Sequence, residues 1–135
     1  MPLHPAEEST LRAFVVAARC ERLIALLGSS KRRKQAIDKL NHFGDWDTRF
    51  VQPVESSADV FDCLRKAGAP PACHVISDSP DLDGRDMPLE EAVSSCEGFP
   101  FASVICCVPG ELAFFFDEVM GPRNRLLLRR PGGAH

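Results

Sequence analysis

Residues Phe101–Val108 are apolar at every position except Ser103, so a strand built from them has no polar face to turn to water. Such a segment reads as an interior strand of a sheet, with Leu112–Phe116 as its neighbour across Pro109-Gly110. That dipeptide favours a type II turn, whose twist suits a two-residue hairpin less well than the primed turns do, so a slightly longer loop is the alternative. The same stretch imitates a membrane span, since Gly98–Phe116 carries Glu111 as its one charge. Pro100, Pro109, Gly110 and Glu111 would place helix breakers and a carboxylate in the bilayer, so the two-strand reading is preferred.

Upstream the period changes. Leu11, Phe14, Val15 and Ala18 recur at i, i+3, i+4 and i+7, continued by Leu23, Leu26 and Leu27, while Arg12, Arg19 and Arg22 occupy another side. This predicts one amphipathic helix of about five turns that ends at Gly28. Ser29 or Ser30 is placed to cap a second helix, which buries Ala36, Ile37, Leu40 and Phe43, stops at Gly44 and forms an antiparallel hairpin with the first. Asp45–Val54 has no clear period, with Trp46, Phe50 and Val51 as anchors before Pro53. A third helix follows, capped by Ser56 or Ser57, facing Phe61 and Leu64 inward and ended by Gly68, Pro70 and Pro71. His74–Ser77 reads as a short strand running into an acidic loop. Pro88 suits the first position of a fourth helix striped by Leu89, Ala92, Val93 and Cys96 and ended by Gly98. Leu126–Arg130 is a further strand candidate, and Met1–Pro5 and Pro131–His135 have the composition of flexible tails.

At 135 residues the chain is the size of a single domain spanning 1–135. With 44% hydrophobic and 26% charged residues it is neither disordered, collagen-like nor a coiled coil as a whole. Helices first and strands last predict a two-layer α+β domain, an N-terminal helical hairpin and further helices on a small, largely antiparallel sheet. Such a chain builds its core without staples, so Cys20, Cys63, Cys73, Cys96, Cys106 and Cys107, none in C-x-x-C spacing, read as reduced thiols packed as small hydrophobes. That points to the cytoplasm. The first eleven residues hold no Lys or Arg and Phe14–Ala18 is too short for the core of a leader, so no secretory signal is expected.

The net charge of −3 conceals segregation. Arg19–Lys34 holds six cations against Glu21 alone, and Arg123–Arg130 adds four arginines, whereas Asp78–Glu97 holds seven acids and Arg85. Ser30, Lys31, Arg32, Arg33 and Lys34 form the candidate anion-binding site: cations crowd a predicted helix start, where the macrodipole already disfavours them, beside free N–H groups and capping hydroxyls. A solvated basic turn explains the same run. Without interleaved aromatics or a Walker glycine pattern, the run does not choose between a protein carboxylate and nucleic acid.

The loop Asp78–Asp86 partly matches a calcium loop, with Asp81 and Asp83 at positions three and five, Gly84 at six and Glu90 at twelve. Ser79 at position one, Pro80 after it and a strand in place of the entering helix depart from that pattern. A plainer account has Asp83-Gly84 making a turn while Asp86 and Glu90 complement the next helix. Arg85 is also placed to neutralise the loop itself. Cys73-His74 is no nucleophile–base pair, because neighbours on a strand point to opposite faces. His42 and Asp47 form no recognisable constellation, and G-x-S-x-G, H-E-x-x-H and G-x-G-x-x-G are absent.

Leu82-Asp-Gly-Arg-Asp-Met-Pro-Leu-Glu-Glu-Ala92, together with Cys107-Val-Pro-Gly-Glu-Leu-Ala-Phe-Phe115, resembles a group of small uncharacterised bacterial proteins. The likeness runs from about Leu27 to Glu118 and includes Lys31–Lys34; it implies a bacterial cytosolic setting and no particular activity. The reading is therefore a cytoplasmic binding or regulatory protein that docks on a protein or anionic partner through residues 29–34, with nucleic acid a possible partner and no membrane or cofactor. The alternative is a metal-dependent phosphoester hydrolase using Asp81, Asp83 and Glu90 of the 78–90 loop.

Overall fold

The computed structural model describes residues 3–40, 45–55, 59–97, 101–117 and 125–130. Its elements, in chain order, are α1 (Pro5–Phe14), α2 (Ala17–Leu27), α3 (Arg33–Leu40), β1 (Val51–Pro53), α4 (Val60–Lys66), β2 (Ala72–Ser77), β3 (Asp86–Pro88), α5 (Leu89–Cys96), β4 (Ser103–Val108), β5 (Leu112–Phe116) and β6 (Arg125–Arg129). The strands form one six-stranded sheet in the order β1-β6-β5-β4-β2-β3, with every pairing antiparallel. The α+β class is as expected, and no helix among the described residues is long and apolar enough to cross a membrane.

Strand alternation sends residues to two cores. Ile76, Val104, Cys106, Ala113, Phe115 and Leu128 join α1, α2, α3 and Trp46 on one side. Val75, Ile105, Cys107, Leu112, Phe114 and Leu127 join α4 and α5 on the other. The sheet is thus larger than expected, and two layers resolve into a sheet with helices over each face. This double cover is what the two-sided apolarity of β4 demands. At the β4–β5 corner Gly110, at φ 76°, takes the left-handed position after Pro109, and Glu111 N–H donates to Val108 O over 2.9 Å. Those are marks of a type II turn. The register shifts between Cys106 and Val108, and the extra residue absorbs the twist mismatch of that short turn.

The first helix differs from the expected five turns. It divides into α1 and α2 because Val15 and Val16 leave the helical conformation: Val15 bridges Trp46, Val16 N–H donates to Asp45 O and Asp47 N–H to Phe14 O. Two β-branched residues in succession weaken the helix where another chain segment offers extended pairing. The break resets the phase, so Ala18 is exposed and Cys20 is buried instead. The Met1–Pro5 tail is also corrected over its described part, since Pro5 opens α1 and the His4 ring accepts from Ala6 N–H over 3.1 Å as its cap.

Further differences are local. Neither Ser29 nor Ser30 caps α3; a turn closed by Arg32 N–H to Ser29 O precedes it, and the helix begins at Arg33. Asp59 caps α4, while Ser56 and Ser57 lie outside the described residues, as do Phe43, Gly44, Gly98 and the 131–135 tail. Pro88 stands before α5 rather than inside it, closing strand β3. Both sheet edges, β1 and β3, are three residues long and end in proline, a combination that discourages pairing with other chains.

All six cysteines are free, five buried and Cys63 partly exposed. Burial pushes the Cys73 and Cys106 thiols up to about 12 and Cys96 up to about 11. A thiol-reactive disulfide reagent should therefore titrate one cysteine rapidly in the native protein and all six after denaturation. Rapid native reaction of three or more thiols would contradict this packing.

Candidate functional site

The chemistry gathers where α1, the turn before α3 and the β2–β3 loop meet. Glu7 occupies the first turn of α1, where a carboxylate suits the helix dipole, yet its side chain is only 3% exposed because α1 lies over β2 and β4. Arg33 reaches it from the start of α3, donating Nη1–H to Oε1 and Nη2–H to Oε2, both over 2.8 Å. The same guanidinium grips Asp83 through Nε (2.6 Å) and Nη2 (2.9 Å) and donates from Nη1 to Leu27 O (3.1 Å). These bonds use all five N–H groups that an arginine has. Asp83 is held in turn by Ser77 N–H over 3.0 Å, and Gly84, at φ 77°, turns the loop so that its N–H meets Val75 O.

His74 completes the cluster. Its position on β2 points it to the α1 side of the sheet, where Nε2 lies 2.6 Å from Glu7 Oε2. Asp86 is its cross-strand partner on β3 and lies 2.8 Å from Nδ1. Both ring nitrogens thus face carboxylates, an arrangement satisfied by the imidazolium, which donates twice. Burial alone would lower the pKa of His74; hydrogen bonds to Glu7 and Asp86 outweigh it and raise the ring above its ordinary 6.5. Burial alone would likewise raise Glu7, but hydrogen bonds from His74 and Arg33 hold it at about 2. The His4 ring lies flat on His74, centroids 3.9 Å apart and planes at 16°. An open cleft of about 310 Å³ runs past His4, Glu7, Ser30, Arg33, His74 and Asp83.

The basic turn and the acidic loop therefore meet and largely satisfy each other. Of the candidate anion-binding residues, Arg33 is committed inside the fold, and Lys34, 74% exposed, stands 3.3 Å from Asp78 in a loose surface pair. Lys31 and Arg32 are exposed with no ion pair to a described residue, and Ser30 is exposed at the cleft rim.

Asp81, Asp83 and Glu90 do not form the proposed metal triad. Asp83 is engaged by Arg33 and Ser77, while Asp81 and Glu90 are exposed. Arg85 does not neutralise the loop carboxylates as expected; it donates to Asp81 O, and Arg33 takes that role. Asp86 bonds His74 instead of complementing α5, whose first turn holds Glu90 and Glu91.

Among the described residues, the group of three metal-capable side chains is His4, His74 and Asp86. Sequence reasoning missed Glu7, His4 and His74 as site residues. One signal was present: a histidine inside an apolar strand needs a buried partner. Comparison with protein-family models found no match, nor did comparison with curated proteins or with solved structures.

Proposed function

We propose that this chain is a small binding protein that docks on an acidic partner surface through Ser30, Lys31 and Arg32. The observation that carries the reading is the unequal fate of four consecutive cations. Arg33 is consumed in fixing the turn to α1 and the β2–β3 loop, whereas Lys31 and Arg32 beside it stay exposed without ion pairs to described residues. The turn is thereby pre-organised, so a partner carboxylate or phosphate meets cations on a fixed backbone and pays little ordering cost. Six free thiols suit a reducing compartment, and we place the protein in the bacterial cytoplasm.

The test uses polyglutamate and single- and double-stranded oligonucleotides as probes at low salt. Binding should be lost in the Lys31→Gln/Arg32→Gln double variant with the melting temperature unchanged. With Arg33 engaged, at most three cations remain, so the log–log salt slope on duplex DNA should be no steeper than about −2.7, against about −3.6 for four. Absence of binding to every polyanion, or undiminished binding by the double variant, would overturn the proposal. Binding to polyglutamate alone supports a protein partner over nucleic acid.

A further inference from the structure

We propose that His4, His74 and Asp86 form a site for a divalent transition ion such as Zn²⁺, Ni²⁺ or Co²⁺. This is independent of the docking role assigned to Lys31 and Arg32. One ligand atom from each of the three residues lies within 4.8 Å of the others. Ligand atoms on a tetrahedral ion with bonds near 2.1 Å stand about 3.4 Å apart, so a pair at the 4.8 Å limit closes by about 1.4 Å.

Two imidazoles and a carboxylate are the donor set of zinc-type ions, and hard Mg²⁺ and Ca²⁺ prefer oxygen alone. The surroundings of His74 favour ligation through Nδ1. Its other nitrogen donates to Glu7, whose carboxylate is fixed by the two-pronged bond from Arg33. A carboxylate on the far nitrogen of a ligating histidine locks the tautomer and orientation and increases its basicity. The proton now shared by Nδ1 and Asp86 Oδ1 over 2.8 Å would leave to solvent as the ion takes its place.

His4 is the arm that moves. Parallel stacked rings direct their lone pairs in parallel planes and cannot converge on one ion, so His4 must swing off the face of His74. Its Nδ1 currently accepts from Ala6 N–H, and ligation through either nitrogen gives up that cap. His4 is exposed and stands just before α1, so the swing disturbs no core residue.

The experiment titrates the full-length, untagged chain calorimetrically with Ni²⁺ and Zn²⁺ in a Cys63→Ser background, which removes the one partly exposed thiol. One ion per chain at roughly micromolar affinity is expected, with Mg²⁺ and Ca²⁺ no tighter than about millimolar. Asp86→Asn alters a side chain that is 72% exposed, and His4→Phe keeps a flat ring over His74 while removing both donors. Each should weaken Ni²⁺ and Zn²⁺ about tenfold or more, and Co²⁺ should give a visible ligand-field band that each variant alters. No heat with millimolar Ni²⁺, or wild-type affinity in either variant, would overturn the site.

Discussion

Replacing Arg33 by Met should lower the unfolding free energy by about 3–5 kcal/mol, the cost of removing one partner from a buried ion pair. The loss comes less from the attraction given up than from what is left behind. Glu7, 2% exposed as a residue, would retain His74 as its remaining partner among the described residues, Asp83 would keep Ser77 N–H but lose the guanidinium, and Leu27 O would lose its Arg33 donor. Urea unfolding of wild type and variant measures the difference. A loss below about 1 kcal/mol would mean that the cluster behaves as a surface pair, contrary to its burial. A Glu7→Gln/Arg33→Met double variant removes both charges together. It should be less destabilised than the two single losses combined, with a coupling of about 0.5–3 kcal/mol. Lys31→Gln and Arg32→Gln should each stay within about 0.5 kcal/mol of wild type. The contrast within one basic run is the discriminating result, because charge and helix position alone would rank these residues alike.

How much of this was legible in the sequence depended on the range of the interaction. The helices α4 and α5 and the strands β4 and β5 announce themselves through period and flanking glycine or proline, signals contained within about ten residues. The two edge strands are too short to show a period: β1 lies in the stretch without one, where Phe50 and Val51 read only as anchors, and the proline that ends β3 reads as a helix start. The break at Val15 follows from Trp46, thirty-one positions away, which no local pattern encodes. The site was hidden by good local explanations. Glu7 looks like a helix-dipole carboxylate, Asp83 like a turn residue and Arg33 like part of a wet charge run, yet their bonds span sequence separations of 26 and 50 residues. His74 was the exception. Between Cys73 and Val75 on a buried strand it has no local use, and the cost of burying an unpaired imidazole requires partners from elsewhere in the chain.

Stability should be greatest between about pH 4.5 and 6.5 and fall on both sides, because the two titrating members of the cluster are shifted in opposite directions. Glu7 is held at about 2 in the folded chain against 4.5 when unfolded. Its contribution, about 3 kcal/mol, is complete above the unfolded value and is lost as pH falls toward the folded one. His74 is raised above 6.5, so its contribution is complete below that value and is lost as pH rises through the folded pKa. The alkaline loss has a specific structural form. A neutral imidazole has one N–H for two carboxylates; Asp86, 72% exposed, can turn to water, whereas Glu7, 3% exposed, cannot. The proton therefore stays on Nε2 and the β3 contact is released first. Urea unfolding in the presence of a chelator, at steps from about pH 3 to about pH 9, reads both limbs. Asp86→Asn removes one of the two carboxylates that favour the imidazolium and supplies an amide that can donate to Nδ1, so its alkaline decline should be smaller and should end at lower pH. A flat profile, or an alkaline limb that Asp86→Asn leaves in place, would show that His74 is not charged between its carboxylates and that the clamp on α1 is made by Arg33 alone.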